Sequence, residues 1–305
     1  MTRLTLFGAG KIGEAIVHLL SRTGDYRLRA VDADLRRLEP MRRDGVDVVA
    51  ADIRDEAELG RLVKGQDAVM SACPYYLTPS IARAARREGA HYLDLTEDVA
   101  STREVMALGE GADRALIPQC GLAPGFISIV AHDLASRFDV LRDVTMRVGA
   151  LPTYPSNALK YNLTWSTDGL INEYCNPCIA IRDGEAIETI PLEEVERFSL
   201  DGVDYEAFNT SGGLGTLGDT LAGRVENLNY KTVRYPGHRD IVKMLVRDLR
   251  LDRRRDLLKD VLEAAIPMTL QDVVLIFVSV TGERQGRLEQ TTYAKKIYAQ
   301  EIDGR

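Results

Sequence analysis

The sequence predicts an α/β protein of two domains: an N-terminal doubly wound parallel sheet, and a C-terminal α+β domain with a mixed or antiparallel sheet. Three observations support this prediction. A glycine-rich turn follows the first short apolar strand, strands and helices then alternate strictly, and later runs of alternating hydrophobicity flank Asp-Gly turns. The 305 residues suffice for two domains, and we place them at 1–122 and 123–305.

The opening segment "LTLFGAGKIGEAIVHLL" places Gly8, Gly10 and Gly13 in G-x-G-x-x-G spacing between a strand and a helix. In a Rossmann domain the first glycine allows a tight turn, the second lets the backbone approach a pyrophosphate, and the third lets helix and strand pack closely. We therefore expect Gly8, Gly10, Lys11, Ile12 and Gly13 to bind a dinucleotide at the helix N-terminus. The packed side of that helix is expected to consist of Ile12, Ile16, Leu19 and Leu20.

The second strand, "YRLRAVD", ends in Asp32, 19 residues after Gly13. A carboxylate at this position can accept hydrogen bonds from the adenosine ribose hydroxyls. It would repel the 2′-phosphate of NADP, so the sequence favours NAD over NADP. Arg36 and Arg37 follow closely enough to leave NADP open as an alternative.

Strand and helix continue in turn as far as "ALIPQC", with helices expected over 55–63, over 78–88 and from about Ser101. Ligands of such sheets lie at the carboxyl ends of the strands. This rule assigns Asp52 and Ile53 to the adenine side of the cofactor. It assigns the segment from Ala72 and Cys73 to Tyr76 to the nicotinamide side.

Asp94, Glu97 and Tyr75 are the candidate catalytic residues, because each is expected at a strand end near the nicotinamide. An acid or base there would handle the proton of a reacting amine. Glu97 has a second interpretation: with Asp98 it could simply favour the N-terminus of the next helix, where "STRE" predicts a capping box of Ser101 and Glu104.

After "QCGLAPGF" the pattern changes to hairpins, "CIAIRDGEAIET" and "VERFSLDGVDYEAF", then helices over 238–249 and 255–265 and two long strands. The glycines of "NTSGGLGTLGDT" predict a tight turn, with Thr210 or Ser211 offering a hydroxyl. Trp165 is expected in a strand whose polar side forms the wall of a site, or else in the core. The active site is expected in a cleft between the domains.

Composition restricts the partners. The chain has 46 acidic and 39 basic residues and a net charge of −7, which argues against nucleic acid or an anionic membrane. It shows no long apolar run and no signal-peptide pattern, so we expect a cytoplasmic protein. Its four cysteines and four histidines are dispersed, so we expect free thiols and no metal.

Three cations, Lys231, Arg234 and His238, surround two tyrosines in "NYKTVRYPGH". A local cluster of cations in an acidic protein indicates a small anion as ligand, and the arginine fork suits a carboxylate. The alternative is a surface strand that is paired with nearby acids.

Several segments together resemble the saccharopine dehydrogenase-like superfamily and, within it, the lysine 6-dehydrogenases. They are "GAGKIG", "HYLDLTED", "CGLAPGF", "GALPTYPSNALKYNLTWSTDGLINEY", "FNTSGGLGTL" and "NYKTVRYPGH". The resemblance implies that Arg234 binds a substrate carboxylate and that Trp165, His238, Thr210 and Lys231 lie at the substrate. Saccharopine reductases carry polar substrate contacts where this chain has Ala123 and Val148, which disfavours saccharopine.

The resemblance implies NAD-dependent oxidative deamination of L-lysine at its ε-carbon. The alternatives are an imine reductase of the saccharopine or carboxynorspermidine type, and an NAD-binding protein without catalysis. The long hairpins of the second domain predict a homodimer or larger homo-oligomer. The family's C-terminal segment that returns toward the dinucleotide domain is expected to be absent from these 305 residues.

Overall fold

A computed structural model describes residues 1–43 and 45–301 of the chain. The chain divides into two compact units, Met1–Gly121 and Leu122–Arg305. None of the helices in the described ranges combines the length and the apolar character that crossing a bilayer requires.

The first unit is built on a parallel sheet of six strands in the order β3-β2-β1-β4-β5-β6. The strands are β1 Thr2–Phe7, β2 Tyr26–Asp32, β3 Val46–Ala50, β4 Ala68–Ser71, β5 His91–Asp94 and β6 Leu116–Ile117. The connecting helices are α1 Lys11–Ser21, α2 Leu35–Leu38, α3 Glu56–Val63, α4 Thr78–Glu88 and α5 Val99–Gly109. The predicted parallel, doubly wound sheet is confirmed.

Each face of this sheet has its own apolar core, as the alternation of side chains along β1 requires. Leu4 and Leu6 pack with Val17 of α1 on one face. Phe7 packs with Leu59 and Ile81 on the other. Covering on both faces explains why the last four residues of β1, from Leu4 to Phe7, are all buried.

One local prediction in this unit is half right and another is wrong. In α1 Ile16 and Leu20 pack against the core as predicted, beside the buried Val17. Ile12 and Leu19, expected on the same side, are instead 52% and 53% exposed. Helix α5 begins after Asp98, whose carboxylate accepts from the backbone N–H of Ser101. Ser101 is therefore inside the helix, and the capping box does not form.

The second unit carries a mixed sheet in the order β10-β11-β12-β7-β13-β14, with β8 pairing with β12 and β9. Among these pairs β7–β12 is parallel and the others are antiparallel. The strands are β7 Val140–Pro152, β8 Cys178–Arg182, β9 Glu185–Thr189, β10 Glu196–Leu200, β11 Val203–Asn209, β12 Val225–Arg234, β13 Asp272–Arg284 and β14 Arg287–Tyr298. The predicted mixed sheet is confirmed.

The helices of this unit are α6 Phe126–Ala135, α7 Thr167–Cys175, α8 Leu217–Leu221, α9 His238–Lys243 and α10 Arg255–Ala265. Helix α9 continues as a π-helical turn over Met244–Asp248. Both predicted Asp-Gly hairpins form. Their turns have positive φ at both central residues, 51° and 79° in the first and 52° and 76° in the second, as a primed turn requires.

The expected strand around Trp165 does not form. In this segment only Leu163 makes an isolated bridge, to Met268, and Ser166 caps α7 through a hydrogen bond from the backbone N–H of Gly169. The alternating polar residues here therefore belong to an irregular segment and a helix start, where Ser and Thr are favoured as caps.

Candidate functional site

The glycine turn of the first unit is closely packed at two of its three glycines. A Cβ on Gly8 would lie 2.6 Å from the carbonyl oxygen of Ala72, and one on Gly13 would lie 2.0 Å from the carbonyl oxygen of Gly8. A Cβ on Gly10 would have no atom within 4 Å. Gly8 and Gly13 thus allow the turn to close, while the backbone at Gly10 faces open space.

Asp32, at the end of β2, is fixed against this turn. Its Oδ2 accepts a hydrogen bond of 2.8 Å from the backbone N–H of Ala9, and its Oδ1 accepts one of 2.8 Å from that of Asp34. The open space at Gly10, the N-terminus of α1 and this anchored carboxylate fit the pyrophosphate and ribose of a dinucleotide. Lys11 and Ile12 lie exposed at the helix start.

Asp34 is a residue that sequence reasoning missed. It caps α2 by accepting from the backbone N–H of Arg36, and it also pairs with the guanidinium of Arg36 at 2.9 Å. Arg37 lies 4.0 Å from the same carboxylate. The two arginines that could bind a 2′-phosphate therefore have a counter-charge already. An Asp just before a short helix was the signal that could have revealed this.

The other residues expected at the cofactor lie at the ends of β3 and β4. Asp52 is exposed and pairs with Arg54, whose hydrogen bonds lower the pKa of the Asp52 carboxyl to about 2. Ile53 is half-buried against the core. Ala72 lies beside Gly8, and burial raises the pKa of the neighbouring Cys73 to about 12, so this thiol stays protonated.

The structure brings together two of the loops that carry catalytic candidates. The hydroxyl of Ser101, in α5, donates to the backbone carbonyl of Tyr75 at 3.2 Å. This bond joins the loop after β4 to the segment that contains Glu97. Tyr75 and Glu97 are both half-buried.

Asp94 is buried, with 1% of its surface exposed. Its Oδ1 accepts from the backbone N–H groups of Thr96 and Gln119, at 3.0 and 3.1 Å. Burial raises the pKa of its carboxyl. These bonds hold the loops that follow β5 and β6 in place, which is the work of a positioning residue.

In the second unit Arg234 is buried at the centre of an aromatic cluster. Its guanidinium lies over the rings of Tyr161 and Tyr174, 4.9 and 5.8 Å from their centroids. Its Nε donates to the Tyr174 hydroxyl at 2.9 Å, and its NH2 lies 3.6 Å from Oε2 of Glu173. Glu173, itself 7% exposed, is a second residue that sequence reasoning missed.

His238 lies in the same cluster but carries no charge, which corrects its expected role as a cation. Its Nδ1 is 2.9 Å from the carbonyl oxygen of Leu159, which can only accept, so Nδ1 must carry the proton. Nε2 therefore accepts from the Tyr174 hydroxyl at 2.9 Å. Burial and the charge of Arg234 lower the pKa of His238 to about 3.

Lys231 is separated from this cluster, which corrects its expected role beside Arg234. The two residues are three positions apart on β12, so their side chains point to opposite faces of the sheet. Lys231 instead pairs with Glu196 at 2.7 Å and donates to the backbone carbonyl of Glu194 at 2.6 Å. Lys231 and Arg234 are close in sequence, but the alternation of side chains along β12 places them on opposite faces of the sheet.

Trp165 and Thr210 do lie with Arg234. The indole Nε1 of Trp165 donates to the Tyr161 hydroxyl at 3.1 Å. Thr210 shares a hydrogen bond of 2.7 Å with Thr232, on the same face of β12 as Arg234. These residues form a buried polar cluster, which we call the Arg234 cluster: Tyr161, Trp165, Glu173, Tyr174, Thr210, Thr232, Arg234 and His238.

The described residues contain no group of three or more His, Cys, Asp or Glu side chains that could hold a metal ion. The four cysteines are free thiols. Burial raises the pKa of Cys178 to about 12, so this thiol is not a ready thiolate ligand.

Two family models match the chain. That of the saccharopine dehydrogenase NADP-binding domain covers residues 4–116, and that of the saccharopine dehydrogenase C-terminal domain covers residues 121–303. Among curated proteins, the mitochondrial alpha-aminoadipic semialdehyde synthase of Bos taurus is 20% identical over 317 residues, which cover 97% of this chain and 33% of that protein. The NADP⁺-dependent, L-glutamate-forming saccharopine dehydrogenase of Saccharomyces cerevisiae is 22% identical over 79% of this chain and 56% of that protein. The chain thus spans between a third and just over half of these relatives.

Solved structures show the same fold. Apo saccharopine dehydrogenase (L-Glu forming) from Saccharomyces cerevisiae superposes with a TM-score of 0.77 at 18% identity, covering 98% of this chain and 86% of that one. The homospermidine synthase of Legionella pneumophila, in complex with NAD, has a TM-score of 0.67 at 15% identity and covers 97% of this chain and 77% of that one.

Proposed function

Because the chain belongs to the saccharopine dehydrogenase family, we propose that it is an oxidoreductase acting on a carbon–nitrogen bond, with L-lysine as substrate and NAD as cofactor. In the proposed reaction, lysine, NAD⁺ and water give 2-aminoadipate 6-semialdehyde, ammonia, NADH and a proton. Both units of the fold match domains of this family, which supports the reaction class.

Two apolar residues, Val148 and Ala123, are the reason for proposing lysine rather than saccharopine as the substrate. Val148 is buried in the main core of the second unit, and Ala123 packs against the same core. The resemblance places polar substrate contacts of saccharopine reductases at these positions. An apolar surface offers no partner to the second amino-acid head group of saccharopine, and burying such a group unpaired is unfavourable. Lysine has only one such head group.

The geometry around Asp32 supports NAD rather than NADP. Both oxygens of its carboxylate are held by backbone N–H groups, so the charge stays beside the turn. Asp34 adds a second negative charge and forms a salt bridge with Arg36. A 2′-phosphate would therefore meet two carboxylates, although the matched family model is named for NADP.

Proton transfer is proposed to involve Glu97 and Tyr75. The ε-ammonium of lysine has a pKa of about 10.4, so it must lose a proton before hydride can leave its carbon. A bound nicotinamide supplies the hydride acceptor. Glu97 would take the ammonium proton, release it to solvent as the proton of the overall reaction, and then activate the water that attacks the imine carbon. Tyr75 is held nearby through Ser101, and Asp94 would only position the loop.

The α-carboxylate of lysine is proposed to bind Arg234. The guanidinium already has one carboxylate near it, that of Glu173 at 3.6 Å. That distance is too long for a hydrogen bond. Binding requires the buried pair to open, so that the substrate carboxylate takes the place of Glu173 beside the guanidinium and accepts hydrogen bonds from it. Trp165 and Tyr161 would form the adjoining wall.

The second candidate is a saccharopine-type reaction, favoured by the names of the curated relatives. A screen with purified protein separates the two. Lysine should be oxidised with NAD⁺ and no second substrate. A reductase of the saccharopine type would instead consume NADPH only when an amino acid and an aldehyde or keto acid are both present. Cofactor binding without turnover in any mixture would favour a protein without catalysis.

A further inference from the structure

A polar cavity of about 250 Å³ lies within the second unit, where β8 and β11 separate along the same edge of β12. Strand β8 pairs with β12 at Leu228, and β11 pairs with it from Lys231 onward. Asn229 and Tyr230, between these pairings, line the cavity. The hairpin of β8 and β9 supplies another wall.

The two asparagine side chains that β12 contributes to this cavity lie on the opposite face of the strand from Arg234. Asn227 and Asn229 share a face with Lys231, since side chains alternate along a strand. Asp143 of β7 is the register partner of Asn227, and Asn209 of β11 is that of Lys231. The cavity is therefore distinct from the Arg234 cluster.

One acceptor in the cavity wall lacks a partner. Within the described ranges, Oδ1 of Asn229 is buried and makes no hydrogen bond. An unsatisfied buried polar group costs about 1–3 kcal/mol. The side-chain amide of Asn209, a residue that is 3% exposed, donates to the hydroxyl of Thr189 over a long distance of 3.4 Å. The cavity thus has hydrogen-bonding capacity that a ligand could use.

The loop over the cavity is held in an unfavourable conformation. Leu192 and Glu194 have φ values of 68° and 53°, in the left-handed region that non-glycine residues rarely adopt. Arg239 donates to the carbonyl of Leu192 and Lys231 to that of Glu194, each at 2.6 Å. These bonds fix Glu194 at the cavity wall. Backbone held in this way is frequent at ligand sites.

The cavity is rich in acceptors and negative in charge. Its acceptors include the carboxylates of Asp143 and Glu194 and the carbonyl of Asn229. The one cation among the lining residues, Arg182, is paired with Glu194 at 2.7 Å. We propose that this cavity binds a small primary amine, whose ammonium group donates to Asp143 and, after the Asn229 side chain turns toward the cavity, to Oδ1 of Asn229. Its volume corresponds to about eight waters, which leaves room for a short diamine.

Isothermal titration calorimetry on the full chain tests this inference, with putrescine as probe and the matching diol and succinate as neutral and anionic comparators. Putrescine should bind, and the other two should not. Asp143→Asn removes the charge yet keeps an acceptor for Asn227, which now donates to Asp143 at 2.9 Å. Both this variant and Asn229→Leu should weaken putrescine binding at least tenfold.

Asp133→Asn is the matched control, because Asp133 is an exposed acid on α6 that pairs with Arg137. It should bind putrescine as the wild type does. Three results would overturn the inference: no heat with putrescine, equal binding of the diol, or unchanged affinity in Asp143→Asn. The first would mean that the cavity holds only water. Thermal unfolding of each variant shows that loss of binding is not loss of fold.

Discussion

His238 is neutral in this fold because burial and the charge of Arg234 outweigh the hydrogen bond to the carbonyl of Leu159, which by itself favours the charged ring. The carbonyl of Leu159 fixes the proton on Nδ1, Tyr174 donates to Nε2, and Arg234 repels a second proton. In this series of hydrogen bonds Arg234 therefore donates to Tyr174, and Tyr174 donates to His238. This network is the kind of detail that residue type alone does not reveal.

Acid should destabilise the protein through His238. Its pKa falls from an ordinary 6.5 to about 3 on folding, so the unfolded chain binds a proton that the folded chain does not. The stability that the neutral ring provides is complete above pH 6.5 and is lost as the pH falls toward 3. Urea unfolding across this window should show it, and His238→Phe should have a shallower slope. An identical slope would contradict the assignment.

Asp32→Ser should weaken NAD binding by roughly 10- to 100-fold and NADP binding little, since only NAD gains the ribose hydrogen bonds and only NADP meets the repulsion. Fluorescence titration with NADH and NADPH measures both. Asp25→Ser, in the turn before β2, is the control. Equal losses for the two cofactors would place Asp32 away from the ribose.

Glu97→Gln should lower kcat by about 10²-fold or more while NADH affinity is kept, if Glu97 handles the amine proton. Asp98→Asn is the neighbouring control, because asparagine can still cap α5. A kcat close to wild type in Glu97→Gln would transfer the proposed role to Tyr75.

Arg234 serves either the substrate or the fold, and its partner Glu173 allows the two roles to be separated. Arg234→Ala alone should lower the free energy of unfolding by about 3–5 kcal/mol, because it removes a cation that lies beside the buried Glu173 carboxylate. The double variant Arg234→Met/Glu173→Gln should recover much of that loss. If Arg234 binds the α-carboxylate, the double variant should still lose the preference for lysine over cadaverine. A retained preference would make the pair structural.

At the scale of the element, the loop between β11 and α8 depends on a glycine that has no space for a side chain. A Cβ on Gly213 would lie 2.1 Å from the ring of Tyr230. Gly213→Ala should therefore destabilise the protein by about 1–3 kcal/mol. Gly218→Ala, in α8, is the control, because its nearest contact is a Leu214 methyl at 3.3 Å. Equal unfolding midpoints for the two variants would contradict this packing.

Elements with strong local signals could be predicted from the sequence. The helix over Thr78–Glu88 and the Asp-Gly hairpins match closely, because their capping glycine and turn residues act locally. The segment around Trp165 could not be predicted. Its alternating polar residues resemble a strand, but Ser166 caps a helix instead, and the tertiary context decides between the two.

At the scale of the whole molecule, the dinucleotide fingerprint was predictable because its spacing has a backbone cause, visible in the close contacts of Gly8 and Gly13. The Arg234 cluster was predictable only in part. Lys231 is close to Arg234 in sequence but lies on the opposite face of the sheet, whereas Glu173 contacts Arg234 from α7, which is distant in sequence. Contacts of that kind depend on strand pleat and helix packing, which a single sequence does not specify.

The most direct test of the proposed function measures NADH and ammonia together, with L-lysine and NAD⁺ as the only substrates. We predict that both products accumulate at equal rates and that neither forms with cadaverine or saccharopine at comparable concentrations. NADH formation from saccharopine but not from lysine would contradict the proposed function, and so would the absence of turnover with either substrate while NADH still binds.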